Sequence, residues 1–189
     1  MYQRPMEGHV LNIVKSETLL ENVSMEALRE VGKEFEKYWK YWDIHNAWAE
    51  WRMVDKTPWT NGEDGYEVQV QYIRFKMGMM ASDRDLLLEI KNFAQPDGPN
   101  GKVWLAVAKS VERPDTPEIP GVVRMYSYTA SRYEQIGNDV RLIEFRQMDL
   151  KGYFPTSMMN KICSTAALDS SKSLYKTMEL IGDVYKKDF

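Results

Sequence analysis

The sequence predicts an α+β fold, an antiparallel sheet with its helices segregated to the ends or to one face. Three observations carry this. Residues 66–75 and 85–93 alternate apolar and polar side chains with period two, and further strand-like runs follow through short connections. After Ser24, apolar residues recur at helical spacing. A long closing helix starts at Pro155, a residue suited to a first turn because its missing N–H leaves no intrahelical bond unmade.

The elements follow in order. Residues 10–22 alternate loosely (Val10, Leu11, Ile13, Val14, Leu19, Leu20) and include a strand. Ser24 suits an N-cap, since its hydroxyl accepts from a free first-turn amide. Leu28, Val31, Phe35, Tyr38 or Trp39, and Trp42 then form one apolar helix face that ends or bends near Asp43, and a short second helical piece is expected over 44–50. Residues 51–54 are strand-like, and 58–65 are rich in turn formers. In 66–75, Val68, Val70 and Tyr72 share one face, and Glu67, Gln69 and Gln71 the other, wet one. Leu86, Leu88 and Ile90 oppose Leu87, Glu89 and Lys91 in the next strand. Residues 102–111 are apolar on both faces, which leaves their inward side open. Residues 121–150 form a hairpin turning at Gly137-Asn138, so the strands number at least five. The final helix carries Met158, Met159, Ile162, Leu174, Met178 and Ile181, but small residues dominate 164–173. Such a helix can lie close across a curved sheet or simply pack tightly against it.

The 189 residues fit one domain, 1–189, of a size that buries roughly 70% of its unfolded surface. A net charge of −3 and a pI near 5.5 provide no basic stripe to neutralise phosphates, which argues against nucleic acid as a partner. One cysteine, Cys163, allows neither an internal disulfide nor a Cys-rich zinc site and suits a reducing compartment. No basic start leads into an apolar run and no stretch reaches spanning length, so a cytoplasmic monomer is expected. Twelve methionines, with six Trp, eleven Tyr and six Phe, supply adaptable apolar side chains for a core or for a flexible apolar partner.

Catalytic signals are sparse. No metalloprotease, P-loop, dinucleotide-binding or nucleophile-elbow motif occurs, and His9 and His45 have no Ser or Cys motif beside them. No second carboxylate stands at an acid–base spacing from Asp83 or Asp85. The expectation is a protein without catalysis, cofactor or metal. Two features point to apolar cargo instead. Met77, Met79 and Met80 occupy a loop tip, where they can meet a membrane, form a lid or fold back onto the core. Arg74 falls in phase with Val70 and Tyr72, where a guanidinium needs Glu144, a ligand phosphate or solvent as partner.

From Ser24 to Ile181 the residues resemble the START family, the lipid-transfer domains related to steroidogenic acute regulatory protein. Trp42-Asp43 resembles its Trp-Asp, and Ser82-Asp83-Arg84-Asp85-Leu86 its Arg-Asp strand start. Gly121-Val122-Val123-Arg124 resembles its Gly-x-Val-Arg strand. Asp149-Leu150-Lys151-Gly152-Tyr153-Phe154-Pro155, followed by Met159-Asn160-Lys161-Ile162, resembles the turn into its closing helix. The resemblance implies a helix-grip fold, a curved antiparallel sheet wrapped around the C-terminal helix with an internal lipid tunnel. It implies one lipid moved between membranes, with Met77, Met79, Met80 and Met158 at a gate that touches membrane transiently. Residues 103–128 look most like the phosphatidylcholine-transfer branch. Ile90 stands where sterol-binding members carry an inward Arg, so a phospholipid is expected over a sterol. The expected ligand contacts are Arg74 for a phosphate, Tyr72, Trp104, Tyr126 and Tyr128 for a choline cage, and Arg124, Met159 and Ile162. About one strand precedes the first clear helix, so an N-terminal helix and one or two family strands are expected to be missing or reduced. A lipid-sensing interaction module, a sterol carrier and a helix-grip enzyme are the alternatives.

Overall fold

A computed structural model of the chain describes residues 2–4, 12–43, 47–58, 66–77, 81–99, 101–152 and 154–185. Two strands, β1 (Tyr2–Arg4) and β2 (Ile13–Leu20), precede the helices α1 (Met25–Lys33) and α2 (Phe35–Trp42). Then come β3 (Trp48–Thr57), β4 (Tyr66–Phe75), β5 (Arg84–Gly98), β6 (Gly101–Ser110), β7 (Val123–Arg124), β8 (Tyr126–Ile136), β9 (Asp139–Asp149) and the closing helix α3 (Thr156–Tyr185). The strands form one sheet in the order β1-β2-β9-β8-β6-β5-β4-β3, antiparallel throughout except that β7 runs parallel to β5. The helices α1, α2 and α3 lie on its concave side, with α2 packed against α3.

Ser24 caps α1, its hydroxyl accepting from the Ala27 amide at 3.1 Å. The single amphipathic helix expected over 25–42 is interrupted at Glu34, whose backbone leaves helical geometry and separates α1 from α2. The short helical piece expected over 44–50 does not form in its described part, because Trp48 already begins β3. Residues 44–46, which include His45, lie outside the described residues, as does His9. Asp43 explains the sharp change of direction. Its carboxylate accepts from the amides of Ala47 (2.8 Å) and Trp48 (2.7 Å), so one side chain ties the end of α2 to the start of β3.

The hairpin expected over 121–150 is real from Tyr126 onward, but its first strand is split. Val123 and Arg124 pair with Arg84 and Asp85, and after Met125 the chain moves across to pair with β9 and β6. Two strands precede α1 where about one was expected. Among the described residues no helix is long and apolar enough to cross a membrane.

The main core lies between the sheet and α1 and α3. Leu20, Met25, Leu28, Val31, Trp104, Val140, Leu142, Leu174 and Met178 pack at one end, and Ile73, Leu86, Met125, Leu150 and Met159 at the other. A separate small cluster, Val70, Tyr72 and Leu87 with Val54 and Val111, sits on the convex side.

Candidate functional site

Between the two ends of the main core the concave side encloses a cavity of about 480 Å³. That is within the ~300–1,000 Å³ of ligand pockets. Strand periodicity dictates its wall. In β4 the residues that face it are Gln69, Gln71, Ile73 and Phe75; in β5, Leu86, Leu88, Ile90 and Asn92; in β6, Trp104, Ala106 and Ala108; in β8, Ser127, Thr129 and Tyr133. Ile162, Ala166, Asp169, Ser170, Ser173 and Leu174 of α3 close the opposite side. The small-residue middle of α3 therefore borders open space, and with Ala106 and Ala108 across from it the two walls stay apart.

The wall is graded. Near α3's first turns it is apolar, with Ile73, Phe75, Met77, Leu86, Leu88, Met125, Met148, Leu150 and Ile162. The far end is also mostly apolar: Leu28, Val31, Trp104 and Leu174, with Tyr133 stacked on Trp104 at a centroid distance of 4.9 Å. Gly32 of α1 admits the indole, since a Cβ there would lie 2.9 Å from its Cη2 atom. Between the ends runs a polar belt. Gln69 and Gln71 belong to it but are engaged with each other: Trp51 Nε1 donates to Gln71, Gln71 Nε2 to Gln69 (2.8 Å), and Gln69 Nε2 to the Gly32 carbonyl (3.0 Å). Arg146 projects from β9, donates to the Ala166 carbonyl at 3.1 Å and pairs with Glu144 at 3.1 Å. Glu144 in turn accepts from the Ser131 hydroxyl at 3.4 Å. Burial, reinforced by the nearby Glu144 charge, pushes the Tyr133 phenol up and keeps it neutral.

Among the residues expected at a ligand, Trp104, Ile162 and Met77 line this cavity. Met159 is buried in the apolar cluster beside it, below the first turn of α3. Met158 points outward and is exposed. Met79 and Met80 lie outside the described residues.

The structure places five of the expected contact residues away from this cavity. Tyr72 and Arg74 face the convex side. Tyr72 is fully buried there against Leu87, with Arg52 over its ring at 4.8 Å; burial and the adjacent Asp85 push its phenol up to about 12. Arg74 pairs with Asp83 at 2.8 Å rather than with Glu144. Arg124 holds Asp85 in a bidentate pair at 2.7 and 3.1 Å. Tyr126 and Tyr128 are exposed on the convex side, because Ser127 and Thr129 take the inward positions. The row Glu67, Gln69, Gln71, expected to be wet, is buried. Alternation identifies two faces but not which one meets the core. Here Val111 packs on the apolar face formed by Val70, Tyr72 and Leu87, and Arg113 close after it pairs with Asp55 of β3 at 2.9 Å.

The ordered motifs thus act on one another. Arg84 donates to the Leu150 carbonyl (3.2 Å), the Lys151 carbonyl (3.3 Å) and the Ser82 carbonyl, with its guanidinium over the Phe154 ring. Two of its targets are in the turn before α3, where Lys151 and Gly152 both have positive φ (55° and 82°) and Asp149 accepts from the Lys151 amide. Next to it, Asp85 fixes Arg124. The start of β5 therefore fastens both β7 and the entry to α3. Sequence reading missed Arg146 because nothing distinguishes it from the alternating charges of a solvated strand; its small partners, Ala108 and Thr129 across the sheet, are the only signal.

No family model matches the sequence, and no curated protein matches it either. Solved structures do match in fold. Human STARD10 superposes with a TM-score of 0.72 at 21% identity, over 94% of this chain and 67% of that one. Human StAR-related lipid transfer protein 5 gives 0.69 at 17% identity, over 95% and 81%. A StAR-related lipid transfer protein fragment from Xanthomonas axonopodis gives 0.69 at 15%, over 94% and 92%. At these identities the likeness is one of fold, and it extends over nearly the whole chain. The nine-stranded sheet gripping a C-terminal helix is the helix-grip fold of the StAR-related lipid transfer, or START, domains.

Proposed function

We propose that this protein is a non-enzymatic carrier that holds one lipid inside the helix-grip cavity and passes it between membranes. The observation that carries the reading is the cavity itself, a space of about 480 Å³ with apolar walls at both ends and one polar belt between them. Each acyl methylene moved from water into such walls contributes about 0.8 kcal/mol. The proteins of like fold that carry lipid transfer in their names support the same reading. Met77 at the cavity edge and exposed Met158 on the first turn of α3 are the described parts of the proposed gate and of its transient contact with membrane. The phospholipid preference comes from the likeness of residues 103–128 to the phosphatidylcholine-transfer branch and from Ile90, and Arg74 with an aromatic cage supplied only its expected head-group contacts. With Arg74 and three of the four aromatics on the convex side, the head group is decided by the polar belt instead.

Native mass spectrometry of the purified protein, followed by transfer between donor and acceptor vesicles, tests the carrier reading. A co-purifying lipid and catalytic-free transfer are expected. Absence of both a bound lipid and transfer of any lipid class overturns it. Replacing Met77 and Met158 by Ser is expected to slow transfer and leave equilibrium binding nearly intact.

A further inference from the structure

The polar side chains around the cavity divide into those already engaged and those that are not. Gln69 and Gln71 commit their amides to each other, to Trp51 and to the Gly32 carbonyl. Asn92 differs. It is 6% exposed, lines the cavity from β5, and its side chain has no hydrogen-bond partner among the described residues. Its amide oxygen and nitrogen are not sealed in the wall; the surface they keep opens into the cavity. Ser173 repeats this on the opposite side. Ser164, Thr165, Ser171 and Thr177 of α3 each donate to the helix carbonyl four residues back, at 2.9, 3.1, 3.3 and 2.8 Å. The Ser173 hydroxyl makes no such bond, although the residue is buried and lines the cavity.

Both groups belong to the end of the cavity remote from the first turn of α3. Asn92 is paired with Ala106, two residues from Trp104 on β6, and Ser173 precedes Leu174, which packs in the cluster of Trp104. Ala106 puts no bulk beside the amide. On the other flank Asn92 is paired with Glu67 of β4, buried and matched by Lys56 at 3.7 Å. Directly opposed residues of an antiparallel pair share one face, so a phosphate at Asn92 meets a carboxylate, and the nearest cation is already paired. A buried charge without its own counter-ion is strongly disfavoured.

From this arrangement, and resting on the carrier reading, we infer that Asn92 on β5, with Ser173 across from it on α3, is a specificity-determining site for a lipid head that both donates and accepts a hydrogen bond, a hydroxyl or an amide. A primary amide offers two donors and one acceptor oxygen. A head that only accepts leaves that oxygen unmet, and a buried polar atom without a partner is costly. The lipid then lies with its head at this end and its chain toward Ile162 and Met77, where the wall is apolar.

The test offers the full chain vesicles that contain a long-chain alcohol and a diacylglycerol, each beside its own O-methyl ether, together with phosphatidylcholine. The protein is re-isolated and its bound lipid counted by native mass spectrometry. The hydroxyl lipids are expected over their ethers by about fivefold or more, a ratio equivalent to ~1 kcal/mol. Asn92→Leu is expected to abolish that preference while the ethers bind as before. Its melting temperature without lipid is expected to hold or rise, because the amide it removes bonds to nothing in the frame. Asn92→Ala adds no bulk, carries the same expectation for the preference, and decides the matter where the larger side chain overpacks. Equal uptake of hydroxyl lipid and ether by the wild-type protein overturns the inference, as does phosphatidylcholine in excess of both. A hydroxyl preference retained in the Asn92 variants overturns it too. All three results leave the carrier reading standing. Uptake of no lipid at all by the wild-type protein overturns the carrier reading and this inference with it.

Discussion

Replacing Arg124 by Met separates a structural arginine from a ligand-binding one. Asp85 is 1% exposed and its carboxylate takes two charge-assisted hydrogen bonds from Arg124, at 2.7 and 3.1 Å. The substitution keeps the aliphatic length and leaves that carboxylate buried without its partner. Breaking one side of a buried ion pair costs about 3–5 kcal/mol, a large part of the ~5–15 kcal/mol that holds a domain together. In a chain of this size 1 kcal/mol lowers Tm by about 2–4 °C, so a drop of roughly 6–20 °C is expected. The assay is a thermal melt alongside lipid uptake measured well below the lowered transition. The folded fraction is expected to take up lipid as the wild-type protein does, because the guanidinium lies across the sheet from the cavity. A variant with unchanged Tm and lost uptake would refute this assignment and return Arg124 to the binding site.

Other substitutions probe the cavity and its frame. Ala108→Phe fills space between the β6 wall and α3, so lipid binding is expected to fall at least about tenfold in a vesicle uptake assay while the melt shows a folded protein. Gly32→Ala places a methyl 2.9 Å from the Trp104 ring; overpacking of about 1–3 kcal/mol outweighs the helix-propensity gain of ~1 kcal/mol, and a lowered melting temperature is expected. The Asp83 carboxyl is held below its ordinary range, chiefly by its hydrogen bond from Arg74. Its folded-state pKa is depressed, so its contribution to stability is present above the unfolded value near ~4 and is lost as pH falls through the folded value. Arg74→Met is accordingly expected to flatten the acid side of the stability curve and leave neutral-pH lipid uptake unchanged, as followed by urea melts at several pH values.

Much of the frame is legible in the sequence. The alternation over 66–75 coincides with β4 residue for residue, since period two needs only a strand with two unlike faces. Ser24 announces α1, and Pro155 immediately precedes α3. Orientation is what periodicity does not contain. Val70 and Tyr72 look like core positions and are, but of a second small cluster closed by Val54 and by Val111, which comes from far along the chain. Gln69 and Gln71 look solvated because nothing in the sequence shows that Trp51 and the Gly32 carbonyl meet them. Arg146 is hidden for the same reason: its partners, Glu144 and Ala166, are ordinary residues until β9 and α3 face each other.

The placement of these contacts suggests why a cavity can persist in a fold this size. The strongest polar fastenings described here lie at its rim or across the sheet: Asp43 on β3, Arg84 on the turn before α3, Asp85 on Arg124, and Arg113 on Asp55. None of them needs the middle of the sheet to touch the middle of α3. Ala106 and Ala108 can therefore face Ala166, Ser170 and Ser173 across open space without loss of the frame. The cost is apolar and polar wall surface that lacks packing partners. A ligand that fills the space binds the folded chain and not the unfolded one, so it raises stability by RT ln(1 + [L]/Kd), about 2.7 kcal/mol at a hundredfold excess over Kd. On the proposed reading, binding energy then comes from contacts the frame leaves unmade along the wall.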